Sequence, residues 1–515
     1  KGSTSIILSN NLEQPKEEHH YNAFKVYGGG LQGNVDGTAS VSVQGGKFYD
    51  IFGGSCFADI DGTAKVVIGS EQSADSNNPI NIVNNVYGAN DFGGTVIGSV
   101  SFGQYGYGNG NSNKYVKAQT MVQYYSGIVH GNIFGGANGA YNYTNFQIEM
   151  TGKYPVLNTT VTEADPNFIT ANTFVHIASP SKRVDGIKGA VYGGGQGFSG
   201  STGIVDVKDT YVHLAATGSY QDRVTNEAGP LVNQVFGGAY YSYVEKTTVD
   251  AASGYYAEIY GGTFGATHKE LPTTISYDCG TTNVNVYGMN NLGLNVYGAG
   301  AKSGAQITNV NLSAGNIGYA YGGSFAEGYC ETTNVTVPEN STIRVKAIYG
   351  GSVGSDEGLP CDVGQSNVLF ASSGAFITGE GLFGGNKSYR ATKNTNVQIK
   401  APVHQSADVY ADVYASGHGE NTVTGYALVT LNNRALVRNV YGGALDGTVR
   451  YAYDDKSGAD VYYTTNSTKY AHWVYADPET ALENRNTRII IEKGATVKEN
   501  VFGGGLGTTA TVTGN

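Results

Sequence analysis

Methionine, tryptophan and proline are nearly missing from this chain, with 3, 1 and 11 copies among 515 residues. Lys, Glu, Leu and Met are sparsely used. Those residues lose least on entering a helix, so a helical fold is excluded. No run of 18 apolar residues occurs, which excludes a membrane-spanning helix. Four cysteines with no C-x-x-C pair do not make a disulfide scaffold and read as structural. Basic residues are in the minority, 31 Lys and Arg against 42 Asp and Glu, for a net charge of −11. A nucleic-acid binder needs a concentrated basic face, so no nucleic-acid partner is expected. Zinc-ligand spacings, H-E-x-x-H, the P-loop and the calcium nonapeptide are absent, and no metal or cofactor is expected. The chain opens Lys1-Gly2 without Met or an apolar signal segment, as a mature or excised piece would.

What is abundant points one way. Glycine supplies 76 residues and tyrosine 39. With Thr, Val and Ile, tyrosine suits pleated strands, so the chain reads as all-β. Self-similarity is then the strongest signal. "KVYGGG" at 25–30 recurs as "IFGGS" (51–55), "VYGAN" (86–90), "IFGGA" (133–137), "VYGGG" (191–195) and "VFGGA" (235–239). It continues as "IYGGT" (259–263), "VYGAG" (296–300), "AYGGS" (320–324), "IYGGS" (348–352), "LFGGN" (382–386), "VYGGA" (440–444) and "VFGGG" (501–505), with a degenerate "VYASG" at 413–417. The corner aromatics are Tyr27, Phe52, Tyr87, Phe134, Tyr192, Phe236, Tyr260, Tyr297, Tyr321, Tyr349, Phe383, Tyr441 and Phe502. They stand 25 apart from Tyr27 to Phe52 and 24 apart from Tyr297 to Tyr321.

A second signal keeps time with the first. "TASVSV" at 38–43, "TAKVVI" at 63–68, "TNVNV" at 282–286, "TNVNL" at 308–312 and "NTNVQI" at 394–399 alternate apolar and polar residues, the period of a strand with one buried face. A unit of about 25 residues cannot bury its own apolar face, but stacked copies can, each strand pairing with its equivalent one coil along. Parallel crossovers are nearly always right-handed. The expected fold is therefore a right-handed parallel β-helix forming one solenoid over residues 1–515. The Val or Ile before each aromatic, as in Val26, Ile51, Val191, Ile259, Ile348 and Val501, should point inward. The aromatics should form an adjacent packing ladder in which the phenol hydroxyl is dispensable. The Gly-Gly that follows should supply positive φ and a tight bend, and leave room for the neighbouring ring.

This reading absorbs two motifs that otherwise suggest chemistry. Gly28, Gly30 and Gly33 satisfy G-x-G-x-x-G, but a turn and a strand follow where a dinucleotide site needs a helix. "GGSVG" around Ser352 fits a nucleophile elbow, yet it too is a repeat corner. Asp36 and Asp61 read as turn residues before a strand rather than calcium ligands, since each coil offers one carboxylate where calcium takes six to eight oxygens, and His19-His20 read as a solvated loop.

Excursions interrupt the repeat near 139–186 and 451–486. The second holds Trp473 with Tyr462, Tyr463, Tyr470 and Tyr475. These flat rings either stack on a glycan or pack the loop onto the solenoid flank. Asp454-Asp455 is the acidic pair to test for catalysis, against the reading of a polar turn. "DPETALEN" at 477–484, with Asp477 as N-cap and Pro478 in the first turn, is the best helix candidate. The chain ends in "GTTATVTGN", a mid-unit strand without a cap. That suggests either a continuing chain or end-to-end stacking of copies into a filament. Cys330 and Cys361 fall at roughly matching places in adjacent units and are expected to be within bridging range, with Cys56 and Cys279 free.

The pattern resembles bacterial surface β-helix proteins, the broad group with pectate-lyase-like and autotransporter-passenger architecture. Chlamydial polymorphic membrane proteins likewise repeat a Gly-Gly motif, although their GGA[ILV] and FxxN signatures do not recur here in order. The resemblance covers nearly the whole chain as architecture and carries over no catalytic residue. It implies an extracellular or cell-surface, bacterial-type adhesin, fibre or surface-layer component, and the regular repeat and lack of a catalytic constellation make a non-enzyme the expectation. Its partners would be further copies of itself, or a glycan or host-surface ligand. The alternative is a carbohydrate-active enzyme or a glycan-binding, tailspike-like protein using the 451–486 loop.

Overall fold

A computed structural model of the chain describes residues 2–9, 12, 15, 20–70, 80–107, 111–139, 147–151, 154–158, 172–178, 186–197, 207–216, 220–221, 228–229, 232–265, 278–354, 361–450, 461–465, 468–472 and 487–513. Among these residues there is no helix, and therefore none long and apolar enough to cross a membrane. The chain is a parallel β-helix divided into two compact units. One comprises Lys1–Ala257 with Thr263–Lys269, the other Glu258–Gly262 with Glu270–Asn515.

In the first unit the alternating segments form one sheet. Thr4–Leu8, Ala39–Val43, Ala64–Ile68, Thr120–Tyr124, Asn172–Ile177, Val207–Ala215 and Val244–Ser253 pair in that order, each parallel to the next. The strands that end in the repeat aromatic form a second sheet, with Val26 opposite Ile51, Ile51 opposite Val86, Ile133 opposite Val191 and Val191 opposite Val235. Isolated bridges such as Val35 to Ile60 and Ile60 to Val96 close a short third side.

The second unit repeats the plan. Cys279–Val286, Ala305–Leu312, Cys330–Val337, Val363–Phe370, Lys387–Ile399 and His418–Leu431 stack in one sheet. Ile259, Val296, Ala320, Ile348, Leu382, Val413, Val440 and Val501 are successive register partners in the other. These residues and their counterparts in the first unit are buried, except that Val501 is 47% exposed. Val501 pairs with Val440 on one side, and among the described residues no strand covers the other.

The excursions that are described break the parallel rule. Gln147–Thr151 with Tyr154–Asn158, and Val461–Thr465 with Thr468–His472, are antiparallel hairpins. The second brings Tyr463 opposite Tyr470 and Tyr462 opposite Ala471 along the backbone. Trp473, Tyr475, Asp454, Asp455, His19 and the expected helix at 477–484 lie outside the described residues.

The expected Cys330–Cys361 bridge is not formed, because all four thiols are free and buried. The register gives the reason: Cys330 stands opposite Val363, two residues beyond Cys361. Cys279 stands opposite Ala305, and Ala305 opposite Cys330.

Candidate functional site

Each repeat corner is a small machine of backbone and side chain. The rings stack coil upon coil. In the first unit Tyr27, Phe52, Tyr87, Phe134, Tyr192 and Phe236 form a column with centroids 4.7–5.1 Å apart. In the second, Tyr260, Tyr297, Tyr321, Tyr349, Phe383, Tyr414, Tyr441 and Phe502 do the same at 4.6–5.2 Å. Tyr414, from the degenerate copy, takes a full place. Interplanar angles of 4–16° make these offset-stacked faces.

The corner glycines act through space, which corrects the expectation of positive φ: none of the first glycines of the corners adopts it. A Cβ on Gly28 would lie 2.3 Å from the carbonyl oxygen of Gly53, and one on Gly322 would lie 2.1 Å from that of Gly350. Each coil seats its corner against the backbone of the next. The fifth motif residue locks the seat. The Gly30 amide donates to Ser55 Oγ at 3.2 Å, and the Ser55 amide to Asn90 Oδ1 at 2.7 Å. Ser324 donates to Ser352 Oγ at 3.0 Å, and Ser352 to Asn386 Oδ1 at 2.8 Å. Ser352 is thus a fully buried corner residue with its hydroxyl engaged. Asp36 and Asp61 are exposed beside their turns.

Where the corner ring is a tyrosine, its hydroxyl can be hydrogen-bonded, beyond the packing role expected of the ring. Tyr27 donates to Asp91 Oδ2 at 2.7 Å, beside Lys25 Nζ at 2.8 Å from the same oxygen. The densest such group lies in the second unit around Glu380. Tyr319 donates to Glu380 Oε1 at 2.9 Å, and Tyr349 donates to Oε2. Lys387 Nζ lies 3.4 Å from Oε2 and 4.3 Å from the Tyr319 ring centroid. His418 Nδ1 is 3.0 Å from the Tyr349 hydroxyl. Because the single phenol proton goes to Glu380, His418 Nδ1–H is the donor in that contact. Partial burial works to raise the Glu380 carboxyl, but the two phenols and the Lys387 ammonium outweigh it and hold it below its ordinary value. Burial raises the Tyr349 phenol, and Glu380 adds to the shift. Burial lowers His418 despite the opposing pull of Glu380.

Two bulges shape the surface beside this group. Nine residues from Met289 to Tyr297 face the seven of Gly315–Tyr321, and eight from Phe376 to Phe383 face the six of Arg344–Tyr349. The surplus falls between Asn291 and Asn295 on one flank and opposite Val345–Ala347 on the other. Bulges of this kind re-aim side chains and end the flat pleat. Between them lies an open groove of about 620 Å³ lined by Leu292, Asn316, Arg344, Lys346, Thr378 and Gly379. The sequence carried a signal for it: "NNLGLNVYG" places Gly293, and "ITGEGLFGG" places Gly379 and Gly381, inside the strand before the corner, where glycine marks bulges.

The other sheet of the same unit presents an asparagine ladder on its outer side. Asn309 Nδ2 donates to Asn283 Oδ1 at 3.1 Å, Asn334 to Asn309 at 3.1 Å, and Asn367 to Asn334 at 3.0 Å. Asn396 is the register partner of Asn367. Comparison with protein-family models, curated proteins and solved structures finds no match to this chain.

Proposed function

We propose that this chain is an extracellular structural and adhesive β-solenoid, a scaffold that holds evenly spaced groups against another surface. The observation that supports it best is the coupling of the two faces of the repeat. Ring column, corner glycine and buried Thr fix the coil spacing within a unit, and the Asn283–Asn309–Asn334–Asn367 ladder displays that spacing outward as hydrogen-bonding carboxamides. A regular, preorganised face loses little side-chain entropy on contact. End-to-end assembly belongs to the same reading. Val501, Phe502, Leu506 and Val512 are each 42–47% exposed, an apolar edge that a further coil would cover, whichever chain supplies it.

Adsorption of the full chain to polysaccharide-coated and matrix-protein-coated sensors tests the role. The expected result is saturable binding that falls at least tenfold when Asn309 and Asn334 are both replaced by Asp, with unchanged far-ultraviolet circular dichroism. Binding to no surface, together with no filaments on electron-microscope grids, would leave the role without support.

A carbohydrate-binding or carbohydrate-active reading has one observation in its favour. The Glu380, His418 and Tyr349 side chains, each with a shifted pKa, gather with Lys387 beside an open groove, a setting that serves binding or catalysis. Release of reducing ends or unsaturated products from a polysaccharide panel would establish it over the scaffold role.

A further inference from the structure

The groove between the two bulges carries an assignment of its own, independent of the asparagine face. Its cations are Arg344 and Lys346, and no carboxylate lines it. Among the described residues neither cation forms an ion pair. Glu380, next in sequence to the lining residue Gly379, is committed to Tyr319, Tyr349 and Lys387. Arg344 is exposed, yet it is held in place: its guanidinium carbon lies 4.4 Å from the centroid of the Phe376 ring. A guanidinium seated over a ring can still turn its N–H donors to a planar or tetrahedral anion. Lys346 Nζ sits 5.8 Å from the Tyr319 centroid. Two unneutralised cations in a concave site stand out in a chain of net charge −11, because a cleft of one sign focuses field on ligands of the other. The remaining lining fits a sugar. Leu292 is 58% exposed and offers an apolar contact for a ring face, while the Thr378 hydroxyl, which donates to the Val345 carbonyl at 3.3 Å, keeps lone pairs to accept from a sugar hydroxyl. The volume is that of a site for a few sugar units rather than one small ion.

We propose that this groove binds an acidic oligosaccharide, Arg344 and Lys346 receiving the carboxylate or sulfate groups carried on its sugar rings. Calorimetric titration of the full chain with three probes tests it: oligogalacturonate for carboxylate, dextran sulfate oligomers for sulfate, and neutral dextran of equal length. The expected result is saturable binding of at least one acidic probe, none of neutral dextran, and at least a tenfold loss of affinity in the Arg344→Ala, Lys346→Ala double variant. Lys493→Ala, at an exposed cation away from the groove, should bind as the unaltered chain does. Which acidic probe binds names the anionic group. The proposal is overturned if neither acidic probe binds, if neutral dextran binds equally, or if a folded double variant is unaffected. The comparison of probes on the unaltered chain decides the matter even if the double variant does not fold. Loss of surface adhesion on altering Asn309 and Asn334, with groove binding intact, would separate this assignment from the adhesive role.

Discussion

Thr333 donates its buried hydroxyl to the carbonyl of Gly350 at 2.6 Å, tying the strand of one sheet to the corner that ends the other. The tie recurs: Thr120 to Gly135 at 2.6 Å, Thr282 to Gly298 at 2.5 Å and Ser366 to Gly384 at 2.6 Å. The Thr that opens each "TNV" segment is thus a strut. Thr333→Val keeps the shape but leaves the carbonyl without its donor, a loss of about 1–3 kcal/mol. Thr333→Ser should retain most of the stability. Chemical denaturation midpoints measure both.

The corner glycines make a sharper contrast. A Cβ at Gly322 meets the Gly350 carbonyl oxygen at 2.1 Å, whereas one at Gly33 meets nothing within 4 Å. Gly322→Ala must push two coils apart and should cost at least about 3 kcal/mol, in the range of severe overpacking. Gly33→Ala should stay within about 0.5 kcal/mol of the parent. Equal melting temperatures for the two variants would remove close approach as the reason for the repeat.

Acid should weaken the first unit through a histidine pair. His176 and His213 are buried, with Nδ1 atoms 3.0 Å apart and rings stacked at 5.0 Å. Burial first, then the neighbouring His213, lowers His176 to about 3; burial lowers His213 to about 4 against the pull of Asp250. Their ordinary value is 6.5. Between these limits the unfolded chain binds protons that the folded chain refuses. The contribution is therefore complete above pH 6.5 and is lost as pH falls toward 3–4. Asp50, raised to about 6 chiefly by burial, runs the other way: its contribution is present below 3.8 and lost as pH rises through 6. Melting curves from pH 7 to 4 should fall, and the slope should lessen in His213→Asn.

The cysteines give a chemical test. All four are buried, and burial is the main cause that pushes the Cys56 and Cys330 thiols up to about 12. A thiol reagent should find almost none in the native chain and four after denaturation without reductant. Fewer than four would mean a bridge.

Much of the fold was legible because the ring-glycine corner combines three requirements at one spacing: a buried aliphatic, a stackable ring and a residue without Cβ. Even degenerate "VYASG" placed Tyr414 in the column. The reason for the glycine was legible only in part, since positive φ and close approach select the same residue, and the close neighbour is the next coil's carbonyl rather than a ring. The Cys330–Cys361 pairing fails because Cys330 stands five residues before Val335 and Cys361 seven before Val368, so the ladder puts Cys330 opposite Val363. The groove was missed for a different reason. Arg344, Lys346 and Glu380 belong to two coils, and only the pairing of their strands with the two bulges brings them to one place.

The coil-to-coil register is most directly tested by engineered cross-links on the outer asparagine ladder. Asn309 is the register partner of Asn334, and Asn283 of Asn309. The pair Asn309→Cys, Asn334→Cys spans adjacent parallel strands about 4.8 Å apart and should oxidise to a disulfide. The pair Asn283→Cys, Asn334→Cys skips a coil, at about 9.6 Å, and should not. Intact mass under mild oxidation reads the difference as loss of two hydrogens in the first variant only; bridging in the second variant, or in neither, would contradict the stacking of these coils.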